Sequence, residues 1–238
     1  MRLTILQVGE APGPLRDHYP RFGPFFERMF ADLDMGFCFD SIPILDGAPL
    51  PDPGVVEGVI ITGSAQGVYD TPAWIDPLRR FIRDAHEAAT PMLGVCFGHQ
   101  IMADALGGDV RKSEKGWGIG RHVYDVVPGH DALAGLGNSI AIAASHQDQV
   151  IVPPPGAETF LCSDFTPHAG LLYANGAAIS VQPHPEFDVG FSRALVELRR
   201  GNPLPTEVID ERLASLDAPL DNKALAKTLA RFLLDAAG

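Results

Sequence analysis

The stretch PMLGVCFGHQIMADALGG (residues 91–108) reads as a short apolar strand over 91–96 that runs directly into a helix over 98–108, stopped by two glycines. Inside it, Gly94-Val95-Cys96-Phe97-Gly98 has the G-x-nucleophile-x-G form of a nucleophile elbow, with cysteine in the nucleophile position. The spacing has a physical reason. A strand that turns sharply into a helix holds one side chain above the sheet in a strained conformation, and glycines two residues to either side remove the side chains that would collide there. The thiol then lies at a helix N-terminus, where the dipole and free N–H groups favour the thiolate. Those N–H groups, Phe97's in particular, can face a developing oxyanion. The plainer alternative is a buried cysteine closing a core strand.

Outward from this segment, strand-like and helix-like runs alternate. LTILQVG (3–9), FCFDSIPI (37–44) and EGVIITG (57–63) read as strands, the last a continuous apolar run suited to a central position. GPFFERMFADLD (23–34) and WIDPLRRFIRDAHEA (74–88) carry apolar residues at helical spacing; Trp74, Leu78, Phe81, Ile82 and Ala85 share one face of the second. This alternation predicts an α/β fold with three α/β/α layers around a central, mostly parallel sheet. From about residue 109 to 182 the texture changes. GIGRHVYDVV, NSIAIAAS, ETFLCS, AGLLYA and AAISVQ follow one another with little helix between them, which predicts a mixed or antiparallel extension of the sheet. Helices return in VGFSRALVELRR, TEVIDERLASL and NKALAKTLARFLLDAA. Leu225, Leu229, Phe232 and Leu233 form an apolar stripe expected to pack into the core, whereas TEVIDERLASL could be a lid over the site or a homodimer contact. No repeat or linker divides the 238 residues, so one domain over 1–238 is expected.

Composition narrows the function class. A formal net charge of −12 argues against nucleic acid as a primary partner. No apolar run is long enough to cross a bilayer, and the N-terminal apolar stretch lacks the h-region of a signal peptide. Three cysteines with no CxxC pair point to a reducing compartment, hence to a cytoplasmic protein. Cys38 and Cys162 lie in apolar strand contexts without flanking glycines and read as core filler. The histidines show no HExxH or paired spacing, so neither a metal nor a cofactor is expected.

A thiolate needs a base, and the base needs an orienting partner. Val181-Gln182-Pro183-His184-Pro185-Glu186 follows a predicted strand. Pro185 biases His184 towards extended geometry, in which residues two apart point the same way, so His184 and Glu186 are predisposed to meet. The carboxylate would fix the imidazole tautomer and stabilise its charged form. An isolated HPE is more simply a solvated surface turn; its place after a sheet strand argues otherwise, because ligands gather at the carboxyl ends of such strands. Ile60-Ile61-Thr62-Gly63-Ser64 is a third apolar strand ending in a glycine turn that could lend a backbone N–H to the oxyanion.

Taken together and in this order, GVCFGHQ with its helix ending ALGG, and QPHPEF further along, resemble the class I (triad) glutamine amidotransferase family. The look is nearest to stand-alone proteins similar to the amidotransferase domain of GMP synthase; TGSAQGVYD, KGWGIG and ASHQDQV support that placement. The resemblance covers the chain from its first strand to about Glu186 and implies a flavodoxin-like fold. It implies Cys96 as nucleophile, His184 as general base and acid, and Glu186 as the residue orienting His184. It further implies backbone amides near Gly63 and at Phe97 as the oxyanion hole, with Ser64 beside them as a substrate contact. Gln100, Ser145 and Gln147 would hold the glutamine, the last two through main-chain contacts at its amino-acid end. The chain departs from the family pattern twice. Thr62-Gly63-Ser64 replaces a GGP-type turn, and SHQD carries Gln147 where SHGD has glycine.

What the resemblance implies is a glutaminase half-reaction, release of ammonia through a γ-glutamyl thioester on Cys96. The chain has no P-loop, no SGGxDS-like segment and no room for a synthetase domain. A separate synthetase subunit would therefore complete an amidotransferase; the alternative is a stand-alone γ-glutamyl peptide or amide hydrolase. A cysteine α/β-hydrolase of the dienelactone hydrolase kind fits less well, because here the acid follows the histidine by two positions. A binding or scaffold protein would not require all three triad residues.

Overall fold

The computed structural model describes residues 1–19, 21–130 and 133–238. In chain order its elements are β1 (Arg2–Leu6), α1 (Gly23–Ala31), β2 (Cys38–Ile42), β3 (Val59–Ile61), α2 (Ile75–Glu87), β4 (Met92–Val95), α3 (Phe97–Ala105), β5 (Asp109–Lys112) and β6 (Gly118–Val126). There follow β7 (Ser139–His146), β8 (Asp148–Val152), β9 (Glu158–Cys162), β10 (Gly170–Leu172), β11 (Ala178–Val181), α4 (Val189–Glu197), α5 (Thr206–Ser215) and α6 (Asn222–Ala236).

The most apolar runs become the strands buried on both faces. All of β3, β4 and β11 is buried, and the three lie side by side in a nine-stranded sheet of order β2-β1-β3-β4-β11-β10-β9-β6-β7. Pairing is parallel from β2 through β11. It is antiparallel from β11 to β7. The α/β class and the antiparallel extension are as the sequence predicts. Helices cover both faces. Phe26 and Phe30 of α1 and Leu225, Leu229 and Leu233 of α6 pack with Leu3, Ile60, Leu93 and Ile179. Leu78, Phe81 and Ile82 of α2 and Ile101 of α3 pack with Leu6, Val59, Ile61 and Ala178. Ile209 of α5 packs with Ile119 and Ala143 of the antiparallel strands, and Ser215 Oγ accepts the Arg121 N–H at 3.0 Å. That docks α5 on the sheet.

Two expectations need correcting. Cys38 is exposed and Cys162 half-buried, so neither fills the core. Cys38 stands on the outermost strand, between Phe37 and Phe39. Those two rings pack with Phe30 at 5.2 and 6.3 Å, and strand alternation turns the intervening side chain outward. Cys162 ends a short strand at the margin of its ladder. The separate β5–β8 pair was also not foreseen, because DVRK and DQVIV lack a clear apolar alternation.

The corner between β4 and α3 is the tightest feature of the fold. Cys96 has φ 55° and ψ −103°, a positive φ that residues other than glycine rarely adopt. A Cβ on Gly98 would stand 2.2 Å from the Ile61 carbonyl oxygen, and one on Gly94 2.5 Å from that of Gly98. Helix α3 thus rests directly on the backbone of β3. We expect Gly98→Ala to destabilise the protein by about 1–3 kcal/mol or more, since the clash is with backbone. The measurement is a fall in the urea midpoint at unchanged slope; an unshifted midpoint would contradict this packing.

Candidate active site

Three segments leave the carboxyl ends of adjacent parallel strands and meet above the sheet. After β4 comes Cys96, its N–H donating to Val181 O at 2.9 Å and its carbonyl accepting from Gln100 N at 3.0 Å. After β3 comes Thr62-Gly63-Ser64. Thr62 Oγ1 accepts the Val8 N–H at 3.1 Å and donates to Gly63 O at 3.1 Å, which ties the turn to the end of β1. A Cβ on Gly63 would lie 3.3 Å from His184 Cε1 and 3.7 Å from Cys96 Cβ, so the bare backbone of this turn abuts both side chains. Among the described residues the N–H groups of Gly63 and Phe97 have no protein acceptor.

After β11 comes His184. Its N–H donates to Ala143 O at 2.9 Å. Its ring stacks on Phe187, centroids 4.1 Å apart and planes within 7°, and its Nδ1 lies 2.7 Å from Glu186 Oε1. The pair does meet, but not along an extended segment: Pro185 and Glu186 form a turn closed by Phe187 N donating to His184 O at 3.4 Å. Burial alone would depress the His184 pKa. The charge of Glu186 and of Cys96, and hydrogen bonding to both, override it and raise the value above that of an ordinary histidine. The imidazole is thereby favoured in its charged form beside the sulfur.

A cleft of about 590 Å³ opens over these groups, lined by Gly63, Ser64, Cys96, Gln100, Ser145, Gln147 and His184 among others. Glu186 lies behind His184 and outside the cleft. The Phe97 ring packs away from it, on Trp74 at 5.6 Å, leaving only the backbone to serve the site. The Gln100 amide nitrogen is committed to Asp148 O at 2.8 Å and Gln182 Oε1 at 3.1 Å, so it braces the start of β8. Gln147 O accepts the Ser113 N–H at 3.0 Å.

Other groups on the cleft wall were given no role by the sequence. Arg199, just beyond α4, places its guanidinium carbon 4.1 Å from the centroid of the Trp117 ring and donates to Ser145 Oγ at 3.1 Å. Burial lowers its pKa to about 10, with the charge of Cys96 acting in the opposite sense. The Tyr69 hydroxyl has its pKa raised to about 12 by burial and by hydrogen bonding to the Asp148 carboxylate. Trp117 and Tyr69 fall in KGWGIG and TGSAQGVYD, which carried the resemblance; nothing in VGFSRALVELRR singles out Arg199.

The arrangement combines a thiol on a strained corner, an imidazole oriented by a carboxylate, and two unpaired N–H donors, which is the equipment of acyl transfer. A family model described as Glutamine amidotransferase class-I matches residues 52–196. The chain is 31% identical over 183 residues to a glutamine amidotransferase-like protein of Schizosaccharomyces pombe, covering 76% of this chain and 73% of that one. It is 31% identical over 172 residues to a GMP synthase (glutamine-hydrolysing) subunit of Methanosarcina acetivorans, covering 71% and 84%. Against γ-glutamyl peptidase 5 of Arabidopsis thaliana the figures are 29% over 175 residues, 70% and 69%. A glutamine amidotransferase crystal structure from Thermotoga maritima superposes with a TM-score of 0.76 at 19% identity, over 100% of this chain and 97% of that one, a likeness of fold.

Because the folded-state pKa of His184 is raised above an unfolded value of about 6.5, its charge stabilises the fold fully below that value. The contribution is lost as pH rises through the folded-state value. We expect Glu186→Gln to lower the His184 pKa, followed by NMR titration of the ring Cε1–H, and to flatten the decline of the urea midpoint above neutrality. An unchanged titration in the variant would remove Glu186 as the orienting partner.

Proposed function

The chain belongs to the class-I glutamine amidotransferase family, and we propose that it hydrolyses the side-chain amide of glutamine through a thioester on Cys96. The observation that carries this is the Cys96–His184–Glu186 constellation, with Glu186 Oε1 2.7 Å from Nδ1 of an imidazole that abuts the Gly63 turn. The Cys96 thiolate attacks the γ-carbonyl carbon. The Gly63 and Phe97 N–H groups stabilise the resulting oxyanion, a contribution of about 100- to 1000-fold in rate for each donor. His184, held charged, protonates the leaving nitrogen as the C–N bond breaks, and ammonia departs. The now neutral imidazole takes a proton from water, the hydroxide attacks the thioester, and glutamate leaves as Cys96 regains its thiolate. Ser64, Gln100, Ser145 and Gln147 line the substrate's berth, the last two at its amino-acid end.

The similarity to a glutamine-hydrolysing subunit of GMP synthase supports a reading in which a separate synthetase subunit consumes the ammonia, in the cytoplasm. A second reading, γ-glutamyl peptide hydrolysis, is favoured by the likeness to a γ-glutamyl peptidase. The cleft of about 590 Å³, in the size range of small-molecule sites, also leaves space for a leaving group bulkier than ammonia.

The test is covalent labelling with a diazo-ketone analogue of glutamine, mapped by mass spectrometry, alongside ammonia release from glutamine and cleavage of γ-glutamyl dipeptides by the purified chain. We expect label on Cys96, and loss of turnover to background in Cys96→Ala. Label confined to the exposed Cys38 would overturn the assignment. Fast dipeptide cleavage with slow glutamine hydrolysis would select the second reading.

A further inference from the structure

Arg199 is the one strong cation on the cleft wall whose geometry is fixed from several sides. The Trp117 ring supports its plane at 4.1 Å. Its Nη1 donates to Leu195 O at 2.6 Å and its Nη2 to Ser145 Oγ at 3.1 Å. Guanidinium offers five N–H donors, so others remain for a ligand. Among the described residues it has no carboxylate at ion-pair distance, although the cleft contains carboxylates. Each of those is engaged elsewhere: Glu10 with Arg16 at 2.7 Å, Asp70 with the Gly67 N–H at 2.8 Å, and Asp148 with the Tyr69 hydroxyl. A half-buried cation paired with no carboxylate is costly to keep, and a planar fork stacked on an aromatic face is the arrangement that receives a carboxylate bidentately.

Its position says which carboxylate. Ser145 Oγ ties Arg199 to the end of β7, the part of the cleft assigned above to the amino-acid end of the substrate. We propose that Arg199, set by Trp117 and Ser145, binds the α-carboxylate of the γ-glutamyl substrate and so restricts the site to substrates whose α-carboxyl is free. This rests on the reading of Cys96 as the nucleophile. Lys112, the other cation on the cleft wall, is exposed and has no such support.

The experiment compares glutamine with its α-amide, and a γ-glutamyl dipeptide with the corresponding α-amide, in the wild type and in Arg199→Ala, Arg199→Lys and Lys112→Ala. For the wild type the expected preference for the free acid is roughly 100-fold or more in kcat/KM. Arg199→Ala should reduce it to a few-fold, through KM. Arg199→Lys, lacking the fork, should recover only part. Cys96 should remain open to alkylation by neutral iodoacetamide in all three variants. Should Arg199→Ala fail to fold, the wild type gives the same information: glutamate should protect Cys96 from iodoacetamide at far lower concentration than glutamate α-amide. A wild-type preference retained in Arg199→Ala, its loss in Lys112→Ala instead, or equal protection by the two glutamate forms would overturn the proposal. Turnover that survives Cys96→Ala, or a wild type inert on every substrate, would instead bring down the reading of Cys96.

Discussion

The seating of α3 on the backbone of β3 is the constraint from which the rest of the site follows. With no side chain at Gly98, the helix can begin immediately after β4, and Cys96 takes the left-handed corner that this demands. Such a conformation costs of the order of 1–3 kcal/mol and persists only when its surroundings over-determine it. Here they do. The N–H of Cys96 continues the ladder to β11 and its carbonyl starts the helix. The sulfur's direction is therefore set by the sheet.

The register of the sheet then does the assembling. Val95 of β4 pairs with Val181 of β11, and Gly94 with Ile61 of β3. Cys96, His184 and Gly63 each follow within three residues of a paired position, on three neighbouring strands that all point the same way. Residues far apart in sequence are delivered to one small volume without a long loop having to find it. The charge on His184 is possible for the same reason. A buried imidazolium would be unfavourable alone, yet the strand ends place Glu186 on one side of it and Cys96 on the other.

Much of this was legible in the sequence because it depends on local patterns. A continuous apolar run marked β3, strand-like runs marked β4 and β11, the flanking glycines marked the corner, and the two-residue spacing marked the His184–Glu186 pair. What failed was also local. An apolar FCF triple concealed that its middle residue faces solvent on an edge strand, and Pro185 suggested an extended segment where the chain makes a turn. What could not be read was the far wall of the cleft. Arg199 acquires its surroundings from Trp117 on one strand margin and Ser145 on another, and neither distance is encoded by spacing along the helix that precedes it. The β5–β8 pair was hidden because its residues are neither uniformly apolar nor clearly alternating.

The stacking of His184 on Phe187 carries a consequence beyond the site. Phe187 packs against Phe22, Phe25 and Phe191, with Tyr19 at the margin of the same group, so the imidazole is the last ring of an aromatic assembly rooted partly in α1. How freely the imidazole can tilt or swing is consequently governed by residues far from any recognisable motif. Drift at Phe22 or Phe25 would loosen the proton-carrying ring while leaving every hallmark of the family intact, so relatives with identical signatures can differ in how well that ring is held.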